Sequence, residues 1–357
     1  MKPAMSVSPT IVLDAMGGDA GVHETVPGAA RISISKHPFP IKLVGIPGEI
    51  QSVLNRHKHA KEWIEIVPSA GAIPMEAKPK EALAQHSDSS IQVAADWVAE
   101  TPDAALVSAG HTGATILAAS RRFTCLPGIS RTALAAVYPT KLPHGPRKDP
   151  FALLLDVGAT LEARAQDLVG FAVMGAAYAR IVSANPRPRV ALLSNGTEPG
   201  KGLAAIAKAH HLLSKQDAIE FIGNVEGNHI PMGTADVIVS PGFLGNVVLK
   251  TLEGISEVAS DLARDAYTRK FAWKLGLSLV SGELRALKRI TDWKYYGGAP
   301  LLGFDRVVIK AHGRSNARAI HNALKVAHKA IVGDIAAQIR TDMDQMYSIS
   351  NPIGPST

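Results

Sequence analysis

The strongest constraint on this chain is a pattern that recurs along it: a short apolar run, a small or acidic residue, then a glycine turn. Its first instance is Ile11-Val12-Leu13-Asp14-Ala15-Met16-Gly17-Gly18-Asp19. Two glycines let the backbone bend sharply and present N–H groups to something bulky and negative. The same order returns at Leu106-Val107-Ser108-Ala109-Gly110-His111-Thr112-Gly113, at Leu154-Leu155-Asp156-Val157-Gly158-Ala159, at Leu193-Ser194-Asn195-Gly196, and at Val239-Ser240-Pro241-Gly242-Phe243-Leu244-Gly245-Asn246. Each alone is an ordinary turn. Five together suggest strand ends gathered at one cleft, as in open parallel sheets.

The segments between these turns alternate strand and helix, the mark of an α/β fold. His23 to His37 reads as a helix with Pro27 near its first turn, Ile41 to Val44 as a strand, and Gly45 to Asn55 as a turn into a helix. Trp63 to Val67 is a strand, Pro68 to Pro79 a loop, and Ser87 to Glu100 a helix with Ser87 as its N-cap. Ala104 to Ser108 and Thr112 to Arg122 form the next strand and helix. Ala133 to Tyr138 and Phe151 to Asp156 read as a hairpin around the proline-rich stretch Pro139 to Pro150. Ala163 to Val182, Val190 to Leu193, Gly202 to Leu213, Ile219 to Ile222 and Val237 to Val239 continue the alternation. A long helix from Gly245 to about Arg269 follows, then a second helical stretch to about Ile290. Tyr296 to Gly303 reads as a tight loop, Val307 to Lys310 as a last strand, and the chain from about Asn316 as a final helix. The expected organisation is a flexible tail over 1–9, one catalytic α/β unit over 10–347 with a helical docking segment at about 255–290, and a frayed tail over 348–357.

The 357 residues are 46% hydrophobic and 19% charged, enough for a sizeable core. A net charge of +7 and a pI of about 9.4 favour acidic or phosphate-bearing partners. The basic residues are scattered, which argues against nucleic acid. Cys125 is the only cysteine, so neither an intrachain disulfide nor a cysteine-based metal cluster is available. With no signal-peptide core and no run of about 18 apolar residues, a cytoplasmic protein is expected.

The residues carrying chemistry are small in number. Gly196-Thr197-Glu198-Pro199-Gly200-Lys201-Gly202 has three residues between its first glycines and a glycine after the lysine, so it is not a Walker loop. It still sets Lys201 at the start of a helix, where an anion is favoured; a solvated surface lysine reads equally well. His111 is an acid, a phosphate ligand or a polar loop residue. Asn246, at the head of the long helix, is a cap or a substrate donor. Asp14, Asp19, Asp156 and Asp236 stand at strand boundaries, where acids hold metals or pin loops, and no metal is expected. Neither a G-x-G-x-x-G loop, a G-x-S-x-G elbow nor an H-E-x-x-H helix occurs. The 255–290 region mixes apolar residues with Arg264, Arg269, Lys270 and Lys274, which suits a partner helix, a membrane surface or an acidic protein.

From about Ile11 to Ile331 the chain resembles the bacterial phosphate acyltransferases that move a fatty acyl group from acyl carrier protein to inorganic phosphate. The markers are Leu13 to Asp19, Val107 to Ala114, Leu155 to Ala159, Glu198 through Lys201-Gly202, Phe221 to Gly227, Asp236 through Gly242-Phe243 to Gly245-Asn246-Val247, Leu249-Lys250-Thr251, Tyr296 to Ala299, and Ile309 to Gly313. His111 stands where that family usually has Asn, Thr160 replaces an Asn, and Gln85-His86 sits where Arg and Lys are common. The resemblance implies a three-layer α/β/α sandwich with a mostly parallel sheet, like phosphotransacetylases and isocitrate-dehydrogenase-like enzymes. It also implies a homodimer at the inner face of the cell membrane, without cofactors, that feeds acyl phosphate to a membrane glycerol-3-phosphate acyltransferase. Lys201 and Asn246 fall on the residues taken as catalytic. Asp14, Gly17, Gly18, Asp19, Ser108, Gly110, His111, Thr112, Gly113, Asp156 and Gly242 are the expected substrate- and phosphate-binding set. Arg264, Arg269, Lys270 and Lys274 are the expected carrier- or membrane-docking set. A coenzyme A-dependent phosphotransacetylase and a silent membrane scaffold are the rival readings.

Overall fold

The computed structural model describes residues 8–269 and 297–350. Lys270, Lys274 and the second helical stretch to about Ile290 lie outside the described residues, as do most of both expected tails. Eleven strands form one sheet in the order β3-β2-β1-β4-β11-β10-β5-β6-β9-β7-β8. They are β1 Thr10–Asp14, β2 Ile41–Gly45, β3 Ile64–Pro68, β4 Ala104–Ser108, β5 Ala133–His144, β6 Asp149–Leu155, β7 Arg189–Leu193, β8 Glu220–Val225, β9 Val237–Val239, β10 Ala299–Leu302 and β11 Val307–Lys310. The helices are α1 Val22–Ser33, α2 Pro47–Leu54, α3 Pro79–Gln85, α4 Ser90–Glu100, α5 Thr112–Arg122, α6 Ala165–Ile181, α7 Ala204–Leu213, α8 His229–Met232, α9 Gly242–Arg269, α10 Ala317–Val332 and α11 Ile335–Ser350.

Two parallel blocks make up the sheet. In the first, β3, β2, β1, β4 and β11 run together. In the second, β6, β9, β7 and β8 do. Between them β10 pairs antiparallel with both β11 and β5, and β5 pairs antiparallel with β6. Following those pairings across, the second block points opposite to the first.

Helices cover both faces because the strands are apolar on both. In β1, Ile11 and Leu13 join the core shared with α1 and α10, while Val12 joins the one shared with α4 and α5. A third core lies under α6 and α11 in the second block. Thirteen of the seventeen residues of α6 are buried, including Phe171, which makes it a central rather than a surface helix. The expected α/β/α layering is the observed one.

Several boundaries differ from the sequence reading for physical reasons. Residues 299–302, expected as part of a tight loop, form β10, because Leu301 and Leu302 are buried between β11 and β5. The hairpin arms run further than expected, to His144 and from Asp149. Pro139 and Pro143 are tolerated there because β10 pairs only with Ala133 and Leu134, so neither proline denies that neighbour a hydrogen bond. Pro27 falls in the second turn of α1 rather than the first, since the helix begins at Val22. The final helix is two, broken at Gly333 and Asp334, whose φ is 46°. The short helices α3 and α8 carried no clear periodicity.

A buried ionic cluster ties the hairpin to the second block. Asp236 accepts from the Arg189 backbone N–H at 2.6 Å and from its guanidinium, and pairs with His144 Nδ1. Thr140 Oγ1 lies 3.0 Å from His144 Nε2. Although burial opposes it, hydrogen bonds from His144 and Arg189 hold the Asp236 carboxyl far below the usual range. A depressed folded pKa contributes stability above the unfolded value and loses it as pH falls. Asp236→Asn is therefore expected to cost about 2–3 kcal/mol near neutral pH, read from urea denaturation. Its stability should also fall less than the wild type's between about pH 4 and pH 2; an equal acid loss in both would remove Asp236 from the linkage.

Candidate functional site

A cleft of about 590 Å³ lies over the strands that join the two blocks. Leu134, Ala136 and Val137 of β5 and Ala299 of β10 form an apolar floor. One wall comes from the first block: Asp19 after β1, Thr112 at the start of α5, and Lys310 through Ser315 after β11. The facing wall comes from the second: Val157, Gly158, Thr160 and Leu161 after β6, then Gly242, Phe243, Asn246, Leu249, Lys250 and Glu253 of α9. Loops from both halves of the molecule thus meet over one apolar surface.

The second wall is fixed by one carboxylate. Asp156 is fully buried, and its Oδ1 accepts from the N–H groups of Leu134, Gly158 and Ala159 at 2.9, 3.0 and 2.9 Å. Its Oδ2 accepts from the Thr160 N–H at 2.7 Å and the Thr160 hydroxyl at 2.9 Å. The head of α9 rests on this loop without room for a side chain: a Cβ on Gly242 would lie 2.2 Å from the Thr160 carbonyl, and one on Gly245 would lie 1.9 Å from the Asp156 carbonyl. Gly242 and Gly245 therefore bring Asn246 against Gly158, whose φ is 131°.

The first wall is built by similar means. Asp14 is buried at the end of β1 and accepts from the Ser108 hydroxyl at 2.7 Å. Burial pushes its carboxyl pKa up, against the pull of the Ser90 and Ser108 hydroxyls. Gly17 stacks on Gly110 so closely that a Cβ would sit 2.6 Å from the Gly110 nitrogen. Gly110 gives its N–H to Ser108 Oγ, and Asp19 gives its own to the Gly313 carbonyl. His111 caps α5, its Nδ1 accepting from the Ala114 N–H at 3.3 Å.

Of the expected binding residues, Asp19, Thr112, Gly242 and Asn246 reach the cleft wall. Asp14, Ser108 and Asp156 spend their side chains on holding loops, and Gly17, Gly18, Gly110, His111 and Gly113 shape the bends behind the wall. Lys201 is exposed on the loop between β7 and α7, its stem folded over Gly196, and it does not line this cleft. Because β7 and β9 are adjacent and parallel, the Lys201 loop and the head of α9 leave the same edge of the sheet. Arg264 is exposed and pairs with Asp261 at 3.0 Å.

Sequence reasoning left Lys310, His312 and Arg314 out of the site. The Lys310 side chain is buried and its ammonium donates to the Ala311 carbonyl. Burial, then the charges of Lys250 and Lys310, hold His312 below its ordinary pKa. The one available signal was position: these residues follow an apolar strand, as the glycine turns do. Among the described residues no three His, Cys, Asp or Glu gather in a metal-holding group, and no helix is long and apolar enough to cross a membrane.

Asp156→Asn would replace an acceptor-only group with an amide whose N–H₂ meets further donors. That variant is expected to lose about 3 kcal/mol of stability. It should also lose at least about tenfold in turnover where it still folds, because the loop facing Asn246 is released. Urea melts and steady-state rates on the same preparation check both.

Comparison with known proteins agrees with this architecture. A family profile described as "Fatty acid synthesis protein" matches residues 9–338. A phosphate acyltransferase of Halothermothrix orenii is 37% identical over 337 residues, covering 93% of this chain and 99% of the relative. One of Syntrophotalea carbinolica is 40% identical over 323 residues, covering 90% of each. Among solved structures, a phosphotransacetylase from Streptococcus pyogenes superposes with a TM-score of 0.59 at 18% identity, covering 91% of this chain and 94% of the other. One from Staphylococcus aureus gives 0.58 at 16%, with the same coverage. The solved structures share the fold, and these relatives align over nearly the whole length: the chain belongs to the phosphate acyltransferase family.

Proposed function

We propose that this acyltransferase takes a fatty acyl group from acyl carrier protein and delivers it to inorganic phosphate by direct attack, the product serving phospholipid synthesis. The cleft is the observation that carries this reading. Its apolar floor suits an acyl chain, and its two polar walls lie across that floor from each other. In the step itself, a phosphate oxygen bonds to the thioester carbon, the carbon–sulfur bond breaks, and the thiolate leaves and takes a proton from solvent.

The chemistry makes small demands on the protein. Phosphate near neutral pH is already substantially dianionic, its second ionisation lying at about 7, somewhat above a phosphomonoester's at about 6. A thiol of pKa about 8.5 leaves without a strong general acid. What remains is positioning, which supplies up to about 7–11 kcal/mol, and one well-placed oxyanion donor, which supplies about 3–4 kcal/mol. Asn246 is assigned to the substrate carbonyl or phosphate and Lys201 to steering the anion, without an acyl-enzyme and without a cofactor.

Docking follows from charge and exposure. Acyl carrier protein is acidic, and Arg264, Arg269, Lys270 and Lys274 are the basic residues assigned to docking it and an anionic membrane. Phe243, Val247, Ile255, Val258 and Leu262 are all exposed and fall within one arc of α9. A second copy of the chain is the proposed cover, giving a homodimer. The cytoplasmic membrane face and a membrane glycerol-3-phosphate acyltransferase complete the proposed setting.

The decisive assay supplies purified protein with labelled phosphate and either acyl carrier protein thioester or acyl coenzyme A, then traps acyl phosphate with hydroxylamine. Product from the carrier thioester supports the reading. Product from coenzyme A alone replaces it with a phosphotransacetylase, and no product from either leaves a scaffold. Lys201→Ala should abolish turnover with the fold intact by circular dichroism; near-normal activity would remove that lysine from the mechanism. Reversing Arg264, Arg269, Lys270 and Lys274 to glutamate should raise KM for the carrier several-fold at low salt and flatten its salt dependence. Unchanged KM and unchanged vesicle binding would count against this surface.

A further inference from the structure

We infer that Lys310 is the phosphate-holding cation of the cleft, so that phosphate enters on the β11 wall and the acyl carbonyl faces Asn246 across the floor. The inference rests on the acyl-transfer reading above and adds to it which wall receives which substrate.

Lys310 ends β11 and stands on the cleft wall, yet its side chain is only 6% exposed. An ammonium has three donors. The Ala311 carbonyl takes one, and among the described residues no carboxylate approaches within ion-pair distance and no other acceptor takes a second. Asp14 and Asp19 face it more distantly and favour its charge. A buried cation with donors left over, on a residue that lines a cleft, is costly unless an anion completes it. The same wall adds the exposed guanidinium of Arg314. On the opposite wall the charges are spent on each other: Lys250 pairs with Glu253 at 2.6 Å. The facing wall thus offers the Asn246 amide, a donor fit for a neutral carbonyl, while the β11 wall offers the cations Lys310 and Arg314 to a dianion.

Burial pushes the Lys310 pKa down to about 8, with Asp14 and Asp19 opposing. At neutral pH it stays mostly protonated, and as pH rises through about 8 the charge is lost. The groups facing it are Asp14 and Asp19 after β1, His312 and Arg314 after β11, and Lys250 and Glu253 of α9. Loss of phosphate affinity as pH rises through about 8 is the signature expected of Lys310.

The test is Lys310→Met, which keeps most of the unbranched stem of the side chain and removes its charge. KM for phosphate should rise by about ten- to a hundredfold while KM for the acyl donor stays within about threefold. The rise in phosphate KM above about pH 8 in the wild type should disappear in the variant. A purely structural lysine would not split the two constants. Equal rises in both, loss of kcat alone, or an unchanged phosphate KM would overturn the assignment. Where the methionine variant does not fold, Lys310→Arg serves: it retains the charge, so the phosphate KM should rise less and its alkaline rise should move to higher pH, and an unmoved profile would overturn the assignment. If the wild type forms no acyl phosphate at all, the functional reading falls, and calorimetry with inorganic phosphate decides Lys310 by itself. Binding to the wild type and not to Lys310→Met supports the phosphate site; no binding, or equal binding, refutes it.

Discussion

The five hydrogen bonds accepted by the Asp156 carboxylate hold the two halves of the cleft in register. One reaches back to Leu134 on β5, in the strand pair that joins the parallel blocks, and four gather the loop from Gly158 to Thr160. The carbonyl of the same residue lies against Gly245, and its side chain against Gly242. The position of Asn246 is therefore set by a carboxylate whose oxygens are taken up inside the protein. A buried carboxylate is tolerable only with its lone pairs taken up. Here backbone N–H groups and one hydroxyl do so, and the loop gains its shape in the same act.

The two walls differ in how they treat charge, and that difference gives the cleft a direction. Behind the first wall Asp14 is held by Ser108, and Lys310 stands forward of it with donors to spare. On the second, charged side chains pair off and neutral donors face inward. A nucleophile carrying two negative charges and an electrophile carrying none have opposite needs, and one symmetric lining could not serve both. Strand-end loops of both parallel blocks reach one floor, carried by the antiparallel-paired strands β10 and β5 between them.

Much of this was legible in the sequence because the signals are local. Ala104–Ser108, Thr112–Arg122, Val237–Val239 and Val307–Lys310 match the expected spans, since apolar runs bounded by small residues leave little freedom in placing them. The glycine turns were found for a related reason, but their purpose was only half visible. Gly17, Gly110 and Gly242 were read as part of a ligand cradle, and in the structure their missing side chains, with that of Gly245, let loops touch each other. That fact depends on partners about 80 to 100 residues away in the chain, which no window contains. β10 was hidden likewise, because its buried leucines follow from pairing with β5, well over a hundred residues earlier. Lys310 was passed over because a lysine at a strand end looks solvated until the cleft closes around it.

A site without an activated nucleophile needs accurate placement more than reactive side chains. Phosphate already bears the charge for attack and the thiolate leaves readily, so a serine–histidine pair or a reactive cysteine would add little. Cys125, the one cysteine, has a thiol pushed up in pKa by burial and by Asp305, the opposite of activation. The molecule instead commits buried carboxylates and close glycine contacts to holding two loops at fixed separation over Leu134, Ala136 and Val137. An error of about 1 Å in such a frame can forfeit about a hundredfold in rate. On the proposed reading, the buried carboxylates and close glycine contacts serve the reaction through placement.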